Sequence, residues 1–207
     1  MSPNNPNNLV AGANDYRECC VTSGSTLRND GSGYVYTSLH GGLSWQNIKL
    51  PGLGPNADPS GVFKKVTLIG DPAIAFGANN TVYYANIAFN RVDDSDAILV
   101  NVSKDGGLTW GAPVLVANSG GATYFNDKVW VGADPNNGNI VISWTRFKDN
   151  PQYGYVESPI VAATSSNFGA SWSSYVNVSG PYRYNQGSVP VYGPNGAIYI
   201  SLGGKEA

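Results

Sequence analysis

Short runs of β-branched and aromatic residues, punctuated by clusters of Gly, Pro, Asn and Asp, fill the chain and read as strands joined by turns. Residues 7–17 read as a turn followed by a short buried strand, 33–38 as a second strand and 45–50 as a third, with a loop at 51–60. A complete unit follows, with strands at 71–76, 81–89, 97–102 and 109–117 and a turn at 77–80. The pattern repeats at 127–134, 139–147, 160–164 and 171–178, and 187–201 then gives strand, turn and strand. The expected organisation is one repeat domain of 207 residues. It holds an incomplete unit over 7–50 (strands two to four), full antiparallel units over 70–117 and 126–178, and the first two strands of a further unit over 187–202.

The third and fourth strands of each unit are joined by the same short pattern. Ser103-Lys104-Asp105-Gly106-Gly107-Leu108-Thr109-Trp110 reads S-x-D-x-G-x-T-W. The Ser103 hydroxyl and Asp105 carboxylate are placed to bond backbone N–H groups of a tight turn, Gly107 supplies positive φ, and Trp110 covers the turn as the next strand starts. The pattern recurs from Ser38 to Trp45 and from Ser165 to Trp172, with Gly42 and Gly169 in register. His40 and Asn167 take the aspartate position. Spacings of 65 and 62 residues between the serines indicate a solenoid, propeller or array.

This motif resembles the Asp-box, or bacterial neuraminidase repeat, of sialidases and other secreted β-propellers, and the resemblance runs over about residues 7–202. It implies an all-β fold: a sialidase-like β-propeller of four-stranded antiparallel blades, present here as a partial or half propeller. The boxes lie at the blade end away from the ligand face. Propellers typically close with four to eight blades. The chain is therefore expected to be part of a longer propeller, to form a homodimer completing a six-bladed ring, or to stand as an independent open or small array. An extracellular location and action on glycans follow from the same resemblance.

Composition narrows the function classes. Charged residues are 13 % of the chain and the net charge is −2, which leaves no basic stripe for nucleic acid. No apolar run is long enough for a helical membrane span. The two cysteines, Cys19 and Cys20, are adjacent. A vicinal disulfide, a bond to another chain and two buried thiols all remain open for them, and they are too few for a metal site by themselves. Neither a metal nor a cofactor is expected.

Aligned on the boxes, Arg17, Arg91 and Arg146 each end a second strand, at the end opposite the boxes, where Asp71 and Asp127 open their first strands. Arginine forks hold carboxylates bidentately, and sialidases use three arginines for the sialic-acid carboxylate with an aspartate as acid/base. The resemblance thus implies an acidic-sugar site of Arg17, Arg91 and Arg146, flanked by Tyr16 and Tyr124, with Asp71 and Asp127 as candidate catalytic groups. The alternative is that each arginine fastens neighbouring blades through an aspartate. The Arg-Ile-Pro motif of sialidases is absent, and no tyrosine–glutamate nucleophile pair can be placed. Tyr124, Tyr182 and Tyr184 either stack on sugar rings or cover blade ends. Asp93-Asp94-Ser95-Asp96 lacks the glycine and distal glutamate of a calcium loop and reads as a solvated loop. Non-catalytic glycan or protein binding and surface assembly stand beside the glycosidase reading.

Overall fold

A computed structural model of the chain describes residues 1–17, 31–52, 66, 68–90, 95–119 and 123–205. Cys19 and Cys20 lie outside them. The first sheet is antiparallel, β1 (Leu9–Gly12), β2 (Tyr34–Ser38) and β3 (Gln46–Lys49). The second is a four-stranded meander of β4 (Leu68–Phe76), β5 (Val82–Phe89), β6 (Asp96–Ser103) and β7 (Val114–Asn118). In the third, β8 (Tyr124–Ala133) and β9 (Ile140–Asn150) form a long hairpin. The far end of β9 pairs with β10 (Gly154–Glu157), and its near end with β11 (Ile160–Ser165), which pairs β12 (Val176–Asn177). A hairpin of β13 (Tyr184–Tyr192) and β14 (Ile198–Lys205) follows.

The sheets stack face to face. Val35, Leu50, Ile69, Tyr84 and Leu99 fill the space between the first and second. Tyr83, Ile87, Val131, Ile142 and Trp144 fill that between the second and third. Strand β5 contributes to both layers, which is why its residues run apolar without alternation. The first strands pack one against the next so closely that a Cβ at Gly132 of β8 would lie 2.6 Å from the Pro190 carbonyl oxygen of β13.

The three repeated turns bond as their residues dictate. Ser103 Oγ accepts from the Gly107 N–H at 2.8 Å, Asp105 Oδ1 accepts from the N–H groups of Leu108 (3.0 Å) and Thr109 (2.9 Å), and Trp110 Nε1 donates to the Gly107 carbonyl at 3.1 Å. Burial alone would raise the Asp105 pKa, but the bonds from Thr109, Ser103 and Leu108 outweigh it and leave it below the ordinary value. Gly42, Gly107 and Gly169 all have positive φ, 92°, 97° and 80°. Successive turns interlock, with Thr37 Oγ1 donating to the Gly107 carbonyl at 2.7 Å and Gly169 seated against Val102.

In the third turn Asn167 Oδ1 still accepts from the Ser171 N–H at 3.0 Å. In the first, His40 Nδ1 bonds the Ser44 hydroxyl instead, at 3.0 Å. His40→Asp therefore adds the missing backbone acceptor. It is expected to stabilise the chain by about 1 kcal/mol, read as a melting temperature higher by about 2–4 °C.

Candidate functional site

The first strands of the second, third and fourth sheets each carry a β-bulge at the same register. Pairing shifts between Gly70 and Ala73 in β4, between Asp127 and Trp130 in β8, and between Gln186 and Ser188 in β13. Counting back from Phe76, Ala133 and Tyr192, which face the first residues of the second strands, the equivalent bulge residues are Asp71, Lys128 and Gly187. All three have positive φ, 49°, 54° and 71°. An extra residue in one strand bends it and re-aims its side chains. These three residues line a cleft of about 600 Å³, together with Trp130, Ser188 and Ser201.

Three sheets line this cleft, and the first reaches its wall through Asn14. Asn14, from the loop after β1, grips Asp71 with both ends of its amide: Nδ2 donates to Asp71 Oδ1 at 3.0 Å, and Asn14 Oδ1 accepts from the Asp71 N–H at 2.6 Å. Lys128 Nζ lies 3.7 Å from Asp71 Oδ2 and 3.8 Å from Asp127 Oδ2. Oδ2 of Asp71 and Oδ2 of Asp127 are thus no farther apart than the sum of those distances, which keeps the pair below the upper end of the roughly 5–9.5 Å separation of catalytic carboxylates in glycosidases. Trp130, nearly half exposed, offers an aromatic wall. The sequence placed Asp71 and Asp127 together but did not find Lys128. Register makes Lys128, not Asp127, the counterpart of Asp71, because β8 reaches its bulge one residue later than an alignment by acid type suggests.

The arginines do not form a matched set. Counted from the strand residue that faces each box serine (Leu9, Val82, Ile140), Arg146 shares its rung with Ala88 and Asp15, whereas Arg17 lies two residues farther along the chain, beyond the end of β1. Connections of unequal length between second and third strands hide this offset in the sequence. Arg17 pairs with Asp15 at 2.8 Å and lies over the Tyr34 ring at 4.0 Å. Arg146 stacks on Tyr124 at 3.5 Å and donates from Nη2 to the Ser119 carbonyl at 3.2 Å. Neither lines the cleft, and among the described residues neither pairs with an aspartate of the next sheet. Tyr16 is exposed. Arg91 lies outside the described residues.

Asp96 was expected in a solvated loop, and the structure instead buries it to 3 % exposure. It accepts from both the backbone N–H and the side-chain amide of Asn126, whose Oδ1 accepts from Trp144 Nε1 at 2.8 Å. The junction recurs. Ser158, seven residues before its box serine like Asp96, donates to the Asn185 carbonyl at 2.7 Å, and Gly31 accepts from the Ile69 N–H at 3.2 Å. Each ties a third strand to the first strand of the following sheet. Asp93 and Asp94 lie outside the described residues.

Burial raises the Asp96 pKa, and the bonds from Ser119 and Asn126 only partly oppose it. The folded state therefore holds this proton more tightly than the unfolded one. Stability from this group is greatest below the ordinary carboxylate value and falls as pH rises through the raised one. Urea unfolding between pH 4 and 7 is expected to show that decline, and Asp96→Asn to flatten it.

No protein-family model matches the chain, and no curated protein does. Its likenesses are among solved structures. A Penicillium chrysogenum α-L-arabinanase complexed with arabinobiose shares 17 % identity at a TM-score of 0.54, over 88 % of this chain and 56 % of that one. The GH93 α-L-arabinofuranosidase of Fusarium graminearum shares 14 % at 0.52, over 94 % and 57 %. A Hadza microbial sialidase shares 14 % at 0.53, over 82 % and 35 %. The fold is therefore a sialidase-like β-propeller of four-stranded antiparallel blades, present in part. The chain spans little more than half the length of the arabinanase and arabinofuranosidase structures, and about a third of the sialidase.

Proposed function

We propose that this chain is part of an extracellular Asp-box propeller that hydrolyses a glycosidic bond at the cleft, with Asp71 on its wall and Asp127, held beside it through Lys128, as its carboxylate pair and a neutral sugar as its ligand. One observation carries the proposal. Two of the three equivalent bulges hold non-glycine residues at positive φ, a strain of about 1–3 kcal/mol each, while the third holds glycine. Strained residues cluster at functional sites, and the two held here are an acid and the lysine that joins it to a second acid. A neutral ligand is favoured because Lys128 in the cleft already lies between two carboxylates, and Arg17 and Arg146 are engaged elsewhere.

The neighbours support a sugar as ligand: they are an α-L-arabinanase, an α-L-arabinofuranosidase and a sialidase. The test is release of sugar from aryl α-L-arabinofuranoside, arabinobiose and other neutral oligosaccharides, run beside a sialoside. Turnover of a neutral substrate is the expected result. Turnover of the sialoside alone would favour the second reading, in which Arg17, Arg91 and Arg146 hold an acidic sugar. Binding without turnover would make the chain a glycan-binding propeller. Closure of the ring by a second copy is also part of this reading, and light scattering at twice the monomer mass is the expected sign of it.

A further inference from the structure

At the end of the third sheet away from the boxes, Phe147, Tyr155 and Tyr184 form a continuous aromatic run. Ring centroids are 5.4 Å apart between Phe147 and Tyr155 and 5.6 Å between Tyr155 and Tyr184. Tyr155 and Tyr184 are 45 % and 38 % exposed, and Tyr153, at 73 %, stands at the tip of the same β9–β10 hairpin. That hairpin carries β9 past the length of its counterpart β5. Exposed aromatic surface in a strand-built region marks a contact surface.

The platform is rigid. The Tyr155 hydroxyl donates to Ser158 Oγ, which also accepts from the Asn185 N–H at 3.0 Å and donates to the Asn185 carbonyl at 2.7 Å. All bonding capacity of that buried serine is used, so the Tyr155 ring is fixed before any ligand arrives, which lowers the entropy lost on binding. The platform also joins the cleft. Tyr184 lies three residues before Gly187 on β13, about 10 Å along the strand, and Gly187 lines the cleft. The run consists of rings, two of them with hydroxyls, and holds no aliphatic side chain. That combination suits a ligand with flat C–H faces and many hydroxyls better than an apolar protein surface.

We propose that Phe147, Tyr155 and Tyr184 form a stacking platform for the inner sugars of a neutral oligosaccharide whose terminal sugar occupies the cleft. This rests on the glycan reading above, and it makes the ligand a chain of at least three sugars rather than a single one.

The test is calorimetric binding of the 207-residue chain to neutral arabino-, xylo-, manno- and gluco-oligosaccharides of one to six units. Affinity is expected to rise with length through the third unit for at least one series. Tyr155→Ala and Tyr184→Ala are each expected to remove about three- to ten-fold of that gain, leaving monosaccharide affinity unchanged. Tyr155→Phe, which keeps the ring, is expected to lose less, and circular dichroism verifies that each variant folds. Binding that does not grow with length, or growth untouched by both alanine variants, overturns the platform while leaving the cleft standing. Absence of binding to every sugar overturns both.

Discussion

Asp71→Gly is expected to melt at a higher temperature than the parent chain and to lose turnover. Asp71 has φ 49° at a bulge where the equivalent Gly187 has 71°, so glycine relieves backbone strain worth about 1 kcal/mol. The lost bond from Asn14 Nδ2 offsets part of this, while the Asp71 N–H bond to Asn14 Oδ1 survives. Loss of the carboxylate removes a group expected to contribute roughly 10²–10⁴ to the rate. Asp71→Asn keeps the strain and removes only the charge, so it should lose the same activity without gaining stability. Asp127→Asn should also lose activity. Thermal melts and initial rates on all three variants separate the two effects. If Asp71→Gly gains stability and keeps full activity, the bulge strain has some other cause and the cleft is not the reaction site.

The largest loss of stability is expected from Trp144→Ala. Trp144 is fully buried between the second and third sheets, and truncating such a side chain costs about 3–5 kcal/mol. It also packs edge-on against Tyr175, with ring centroids 5.6 Å apart. Its indole N–H is the donor that satisfies Asn126 Oδ1, so Trp144→Phe, which keeps most of the volume, still leaves a buried acceptor unpaired, at about 1–3 kcal/mol. A domain is typically stable by only about 5–15 kcal/mol, so the alanine variant uses up much of that margin. Because Asn126 also holds Asp96, Trp144→Phe and Asp96→Asn should couple. Their combined loss in denaturant unfolding is expected to fall short of the sum of the single losses. Strict additivity would show that Asp96, Asn126 and Trp144 act independently.

The repeated turns could be read from the chain because all their chemistry lies within eight residues: the serine and glycine positions dictate the same N–H to Oγ bond in Ser38–Trp45, Ser103–Trp110 and Ser165–Trp172. Strand positions followed from runs of β-branched and aromatic side chains, with ends displaced by a few residues; β4 begins at Leu68 rather than Asp71. The extension of β9 and the short β10 had no local signal, since their pairing depends on a turn at Asn150–Gly154 that resembles any polar loop.

The site was legible only in part. Residue types alone drew attention to Asp71 and Asp127, but a bulge is a property of pairing between strands. Only the register of β4, β8 and β13 shows that Lys128 and Gly187 share the position of Asp71. The offset of Arg17 from Arg146 is hidden for a different reason, because connections of unequal length separate them from the boxes. Burial of Asp96 depends on the next sheet, whose Asn126 is thirty residues away. By itself, then, the sequence determined what short-range chemistry can dictate, namely the turns, the strands and their repeat. The tertiary structure decided which side chains converge, because convergence depends on how four sheets stack and where each strand gains a residue.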